Sequence, residues 1–356
     1  MKFTINNKDL LKSIQYVAGV AKEKATVPIL SNLLLQVSDN QLKITATDSD
    51  ILISTSTSCE VEQEGSTTIN ANSLLNIVKK ANDSIRFNLD DSIVNVSFKR
   101  SRYKLPCISA EEFVDFKDFS CDEIEIESNK LLNALNSVDF AVSNDVTRYY
   151  LTGINLISEG DKLTFTATDG NKLATTSVNK LGGDDVSIII PKAAISEIRK
   201  IITGSLSYLS LSKSKIKVKS GNNVLISKLI DGEYPDFKKI IPQESDSFLE
   251  VDRVQTIDSL SRVSLISDDK HNSVKISCKS NSLILETKNL QGGLGHEEVD
   301  LLNSIEHLSI GFNSKFLIDV LNKVNSKEVK IFIKDSNSPA LIKDSYNTFV
   351  IMPVRI

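Results

Sequence analysis

Cysteine is scarce. Cys59, Cys107, Cys121 and Cys278 are scattered through 356 residues without a C-x-x-C pair, so spacing supports neither a disulfide framework nor a zinc site. Reduced, partly buried thiols are expected. The three histidines, His271, His296 and His307, are too spread for a metal cluster, and no metal or other cofactor is expected. G-x-S-x-G and G-x-x-x-x-G-K-[ST] are both missing, which removes the usual nucleophile elbow and phosphate loop of an enzyme. Residues 292–295 (GGLG) resemble a dinucleotide fingerprint only superficially, because Glu298 stands where the third glycine belongs; a hairpin loop is expected there. Long apolar runs are missing too. Residues 1–6 (MKFTIN) lack a signal peptide's apolar stretch, and no segment is long enough to span a bilayer. A cytoplasmic protein without a membrane partner is expected. There is no excess of positive charge: the formal net charge is −4, which excludes coating of nucleic acid by bulk charge and leaves only a locally basic surface.

What is there is an ordinary globular composition, 40% apolar and 25% charged, in a chain long enough for two or three domains. An internal repeat decides for three. Residues 33–50 (LLLQVSDNQLKITATDSD), 154–171 (INLISEGDKLTFTATDGN) and 274–291 (VKISCKSNSLILETKNLQ) each read strand, turn, strand, and TATD at 45–48 recurs outright at 166–169. A helical stripe precedes each hairpin: Leu10, Leu11, Ile14, Val17 and Ala18; then Leu131, Leu132, Leu135 and Val138; then Val254, Ile257, Leu260 and Val263, the last interrupted by polar residues. A second helical pattern follows each hairpin at 73–81, 194–202 and 315–324, with start signals at Asn70 or Asn72, at Pro191, and at Asn313 or Ser314. Alternating strands close each unit, as in 86–89 (RFNL), 208–211 (YLSL) and 329–333 (VKIFI).

Polar, turn-forming stretches at 116–122 and 242–246 separate the units. The expectation is an α+β chain of three like domains, 1–120, 125–244 and 246–356, each with two helices and antiparallel sheets. Like domains in a row invite a closed head-to-tail assembly. Asp48, Asp50 and Asp169 could be imagined as acid–base groups, but recurrence at equivalent positions argues for turns at strand ends.

The chain closely resembles the bacterial DNA polymerase III beta subunits, the sliding clamps, along essentially its full length. The segments that carry the likeness are 1–4 (MKFT), 27–37 (VPILSNLLLQV), 148–153 (RYYLTG), 167–170 (ATDG), 227–237 (SKLIDGEYPDF), 311–313 (GFN) and 352–356 (MPVRI). The resemblance implies a non-enzymatic, head-to-tail homodimeric ring with helices lining the hole. Its implied partners are double-stranded DNA held without sequence preference, a second copy of itself, the polymerase III core, the clamp loader and other clamp-binding proteins.

The inward basic groups would be Lys8, Lys12, Lys79, Lys80, Lys130, Lys192, Arg199, Lys200, Arg253 and Lys323, with Lys22 and Lys24 in the loop after the first helix. A sliding ring needs weak, replaceable phosphate contacts, which flexible lysines supply; the same residues also complement helix C-termini. Carried over by motif, the family's client-peptide pocket would be walled by Arg148, Tyr150, Leu151, Thr168, Gly170, Asn171, Lys172, Leu173, Pro235, Lys239, Ile240, Val350, Ile351, Met352, Pro353, Val354 and Arg355. Aliphatic walls suit Leu and Phe anchors, each worth ~1.5 to 3 kcal/mol when buried. A few of them give exchangeable, micromolar binding of ~8 kcal/mol. Where the family often has His-Arg after the ATDG glycine this chain has Asn171 and Lys172, and Asn337 and Pro339 also depart from the usual residues. For the contact between copies, Arg100, Arg102, Tyr103 and Leu105 would meet Leu265, Ile266, Glu297 and Glu298, opposite charges around an apolar centre. The rival readings are an enzyme and a scaffold of repeated β domains that binds proteins but not DNA.

Overall fold

The computed structural model describes residues 1–21, 26–114, 116, 119, 121–267, 272–279, 281–303 and 308–355. Six α-helices occur among the described residues: α1 (Asn7–Val17), α2 (Ala71–Lys80), α3 (Ser128–Val138), α4 (Lys192–Ile201), α5 (Arg253–Val263) and α6 (Ser314–Leu321). Their starts are set by side chains that satisfy otherwise orphaned backbone donors. Asn6 accepts from the Lys8 amide, Asn70 from Ser73, Asp252 from Gln255, and Asn313 from Lys315 and Phe316. Asn70 and Asn313 are therefore the caps, rather than Asn72 or Ser314. Pro191 precedes α4 without a side-chain cap.

The chain divides into two compact units, Met1–Leu132 with Ser158–Asp161 and Asn179–Ile230, and Asn133–Ile157 with Lys162–Val178 and Asp231–Ile356. Each therefore holds one outer repeat and part of the central one, and the reason is sheet pairing. In the first unit, Ile51–Ser58 of the outer repeat pairs antiparallel with Asn223–Lys228 of the central repeat, Thr55 opposite Asn223 and Ile51 opposite Ser227. In the second, Lys172–Asn179 pairs antiparallel with Asn347–Ile351, Lys172 opposite Ile351 and Leu173 opposite Val350. Backbone hydrogen bonds thus run from repeat to repeat inside each unit.

The first unit has a second sheet in the order Glu60–Gln63, Lys2–Ile5, Ile85–Asp90, Ile93–Phe98, Ser101–Pro106, which leaves Ser101–Pro106 at an edge. The second unit has a sheet in the order Leu294–Asp300, Ser282–Lys288, Ser273–Lys279, Ser309–Asn313, which leaves Leu294–Asp300 at an edge. Ile51, Lys172 and Leu294 are equivalent strand starts in the three repeats, as are Ser101, Asn223 and Asn347. The two outer edges are thus the counterparts of the strands that join repeats within the chain.

Helix cores follow the apolar stripes with one correction. Leu10, Ile14 and Val17 are buried on α1, and Leu131, Leu135 and Val138 on α3. On α5, however, Val254 is 53% exposed and Ile257 half-buried, while Thr256 and Ser259 face inward with Leu260 and Val263. Small polar residues can take those places because they are hydrogen-bonded there: Thr256 Oγ1 donates to the Asp252 carbonyl at 2.7 Å, and Ser259 Oγ accepts from Arg262 at 2.9 Å. All four cysteines are free thiols, and burial pushes that of Cys278 up to about 11.

Candidate functional sites

The Thr-x-Asp segments are turns. Asp48 Oδ1 accepts from the amides of Asp50 and Ile51, and Asp169 Oδ1 from those of Asn171 and Lys172. These carboxylates are consumed by the backbone, the local competition that favours Asp in turns. In the third repeat Asn289 plays the same part, accepting from Gln291 and Gly293, so Gly292 and Gly293 belong to a hairpin connection, while Leu294 and Gly295 already start the next strand.

The second unit builds an apolar cluster from Leu173, Phe237, Leu341 and Val350, flanked by the half-buried Ile157, Ile241 and Phe332. Phe237 and Leu341 were not among the expected wall residues. Phe237 is held by the turn Phe237–Lys239, and Leu341 by its place opposite Val350 in the sheet. The other expected wall residues differ in how far a ligand could reach them. Ile240 is exposed, as are Asn171, Pro235, Lys239, Met352 and Arg355, while Tyr150, Pro353 and Val354 are half-buried. Thr168 and Leu151 are buried.

Several of these are positioned by identifiable contacts. Gly170 has φ +91, a conformation that favours glycine, and a β-carbon there would lie 2.9 Å from Arg148 Nη1, so a larger residue would be strained and would displace the guanidinium. Arg148 Nε donates to Asp145 at 2.9 Å. Hydrogen bonds from Thr147 and Arg148 hold the Asp145 carboxyl down at about 2. Tyr234 Oη accepts from the Thr168 amide at 2.9 Å, and burial drives its phenol pKa well upward. The Met352 amide donates to the Asn171 carbonyl at 2.8 Å.

Two expected wall residues face the other way. Successive strand residues point to opposite faces, so Lys172 and Ile351 lie behind the sheet when Leu173 and Val350 lie in the cluster. Lys172 is buried, with its ammonium 4.4 Å from the Phe316 ring centre and 3.3 Å from Asp319. Arg355 lines a separate cavity in the third repeat with Ser273, Lys275, Glu286, Leu294 and His296. Asn337 is exposed in the turn capped by Asp335, and Pro339 is half-buried.

The basic groups fall into distinct classes. Lys8, Lys12, Lys79 and Lys80 are exposed and make no ion pair among the described residues. Lys192 is also exposed. Lys130 and Lys200 are exposed but paired with Glu127 and Glu197 one turn away, each at 2.7 Å. Arg199 and Arg253 are half-buried. Lys323 is tied to Asp139 at 3.2 Å. Lys22 and Lys24 lie outside the described residues.

At the free edges, Arg102, Tyr103 and Leu105 lie on Ser101–Pro106 and Arg100 in the turn before it. Arg102 and Tyr103 are exposed, and the Tyr103 ring stacks on Phe98 at 5.9 Å. On the other edge Glu298 is exposed, whereas Glu297 is held by Arg262 at 2.7 and 3.0 Å. Leu265 is 82% and Ile266 38% exposed.

Family models describe this sequence from end to end: the N-terminal domain of the DNA polymerase III beta subunit matches residues 1–116, the central domain 125–236 and the C-terminal domain 238–355. The beta sliding clamp of Caulobacter vibrioides is 32% identical over 372 residues and that of Haemophilus influenzae 31% over 368, each covering 100% of both chains. The fold is similar to a crystal structure of the DnaN sliding clamp from Pseudomonas aeruginosa bound to griselimycin, with a TM-score of 0.96 at 30% identity and 100% coverage of both chains. It is also similar to the griselimycin-bound clamp of Bartonella birtlesii, with a TM-score of 0.93 at 32% identity and the same coverage. With all three of its repeats matched in order, the chain belongs to the DNA polymerase III beta subunit family.

Proposed function

We propose that this protein is a sliding clamp: two copies join head to tail around duplex DNA, and the ring tethers polymerase III core and other replication and repair proteins in the cytoplasm. It is a non-catalytic subunit, and the three sequence repeats, 1–120, 125–244 and 246–356, are its clamp domains. The observation that carries the reading is the pair of unpaired edges. Strands equivalent to Leu294–Asp300 and Ser101–Pro106 already pair antiparallel twice within the chain, so a second copy that joins these two repeats the same junction. An edge left unpaired is a template for such addition. Exposed Arg100 and Arg102 against Glu298, with Tyr103, Leu105, Leu265 and Ile266 between, supply charge and apolar complementarity; Glu297, bound by Arg262, orients rather than pairs across.

Lys8, Lys12, Lys79 and Lys80 are the proposed primary phosphate contacts, with Lys22, Lys24, Lys130, Lys192, Lys200, Arg199 and Arg253 in support. Lys323 contributes least, because it would first have to leave Asp139. The groups around Leu173, Phe237, Leu341 and Val350 receive short client peptides through leucine and phenylalanine anchors. The test is topological. Protein assembled on a nicked circular plasmid by a bacterial clamp loader should stay bound through gel filtration and fall off when the plasmid is linearised. Equal retention on circular and linear DNA, or none on either, refutes an enclosing ring.

A further inference from the structure

Lys172 has no role in the exposed part of the peptide surface, yet its ammonium is enclosed among aromatic rings and a carboxylate. Its side chain is 9% exposed. The ammonium lies 4.4 Å from the ring centre of Phe316 on α6 and 5.4 Å from that of Phe140, in the turn Asp139–Ala141, and 3.3 Å from Asp319 Oδ2. Phe140 is shared, since Lys323 Nζ lies 5.9 Å from the same ring and 3.2 Å from Asp139. Two cations, two carboxylates and two rings thus form one balanced slot behind the sheet. A buried ammonium is costly unless paired and hydrogen-bonded, and cation–π contact strengthens when water is excluded.

The backbone of the same residue closes the turn in front. Thr168 Oγ1 donates to the Lys172 carbonyl at 2.7 Å, and the Lys172 amide donates to Asp169 at 2.9 Å. Immediately before it, the Asn171 carbonyl accepts from Met352; immediately after it, Leu173 enters the apolar cluster. We propose that Lys172 is a positioning residue for client binding: its ammonium, clamped between Phe140, Phe316 and Asp319, fixes the 168–173 turn and so the placement of Asn171, Leu173 and Met352 against a leucine- and phenylalanine-bearing peptide. This rests on the peptide-surface reading above.

A labelled synthetic hexapeptide carrying leucine and phenylalanine is titrated into the full-length protein by fluorescence anisotropy, with melting temperature recorded alongside. Lys172→Met should bind about tenfold more weakly, the scale of one lost charged partner, and Lys172→Arg should restore most of the affinity. Affinity within about twofold of the unaltered protein in Lys172→Met, even with a lower melting temperature, makes the slot purely structural and overturns the proposal. If Lys172→Met does not fold, Asp319→Asn decides. It removes a 43%-exposed carboxylate, and weaker peptide binding supports the clamp while unchanged binding rejects it. Failure of the unaltered protein to bind the hexapeptide defeats the peptide surface itself. Hydrogen exchange at the Met352 amide then separates the two failures: acceleration in Asp319→Asn upholds the clamping of the turn, and no change removes it.

Discussion

The helix pairs of the first and third repeats occupy equivalent places in their repeats and differ in what they present. The fourth residue of α1 is Leu10 and that of α5 is Thr256, both buried. The second and sixth residues of α1 are the exposed Lys8 and Lys12, whereas α5 has Val254 and Asp258 there. Lys79 and Lys80 end α2 without an ion pair among the described residues, while the counterpart of Lys80 is Lys323, held by Asp139. One backbone plan therefore carries a mainly apolar core with available cations at one end, and a more polar core, with Arg262 and Lys323 engaged by carboxylates, at the other. The repeat fixes where side chains go; the individual residues decide whether a position stores stability or offers charge.

The largest test of that contrast is in the cores. Leu10→Ala should cost ~2 to 5 kcal/mol, because it leaves a cavity in close-packed surroundings. Thr256→Ala should cost only ~1 kcal/mol, the loss of one hydrogen bond within its own helix. Urea denaturation reads both, and equal losses would erase the distinction. Charge comes next. Replacing Lys8, Lys12, Lys79 and Lys80 by alanine should reduce the slope of log affinity for duplex DNA against log salt by about 0.9 for each lysine that neutralises a phosphate. Lys323→Ala should leave that slope nearly unchanged, and a drop as large as that for Lys80→Ala would show that Asp139 does not withhold it.

The smallest effect is acid-dependent. A hydrogen bond from Arg262, then its charge, holds the Glu297 carboxyl below the usual glutamate range. Its folded pKa is depressed, so its contribution is present at and above the ordinary glutamate pKa and is lost as pH falls through that range and below. Glu297→Gln should therefore flatten the acid limb of stability against pH slightly. Lys79→Ala, on the helix pair without such a partner, should leave the limb unaltered. An identical limb in Glu297→Gln and the unaltered protein would discount the pair, as solvent screening of an exposed ion pair does in many proteins.

The repeat register was legible because hydrophobic period and turn chemistry recur together. The equivalence of Asp48 and Asp169 as turn formers follows from local backbone demands that sequence states directly, whereas the caps, open between Asn70 and Asn72 and between Asn313 and Ser314, are decided by hydrogen bonds in the fold. The face of α5 was not legible: Val254 and Ile257 look like a core stripe until Thr256 and Ser259 find partners that make burial tolerable. Motif resemblance placed Lys172 and Leu173 together in a wall, yet strand alternation separates them. Alternation was visible in the sequence, but Phe140, Phe316 and Asp319 are distant along the chain and meet only in the fold. Phe237 and Leu341 escaped for the same reason, since neither belongs to a short motif that signals its neighbour.

Sheet continuity between repeats has a cost for any attempt to take the molecule apart. Excising the last repeat would strip Asn347–Ile351 from Lys172–Asn179 and bare a run of backbone donors and acceptors beside apolar side chains. Such a raw edge recruits other chains indiscriminately, so fragments cut at repeat boundaries should aggregate rather than persist as independent modules.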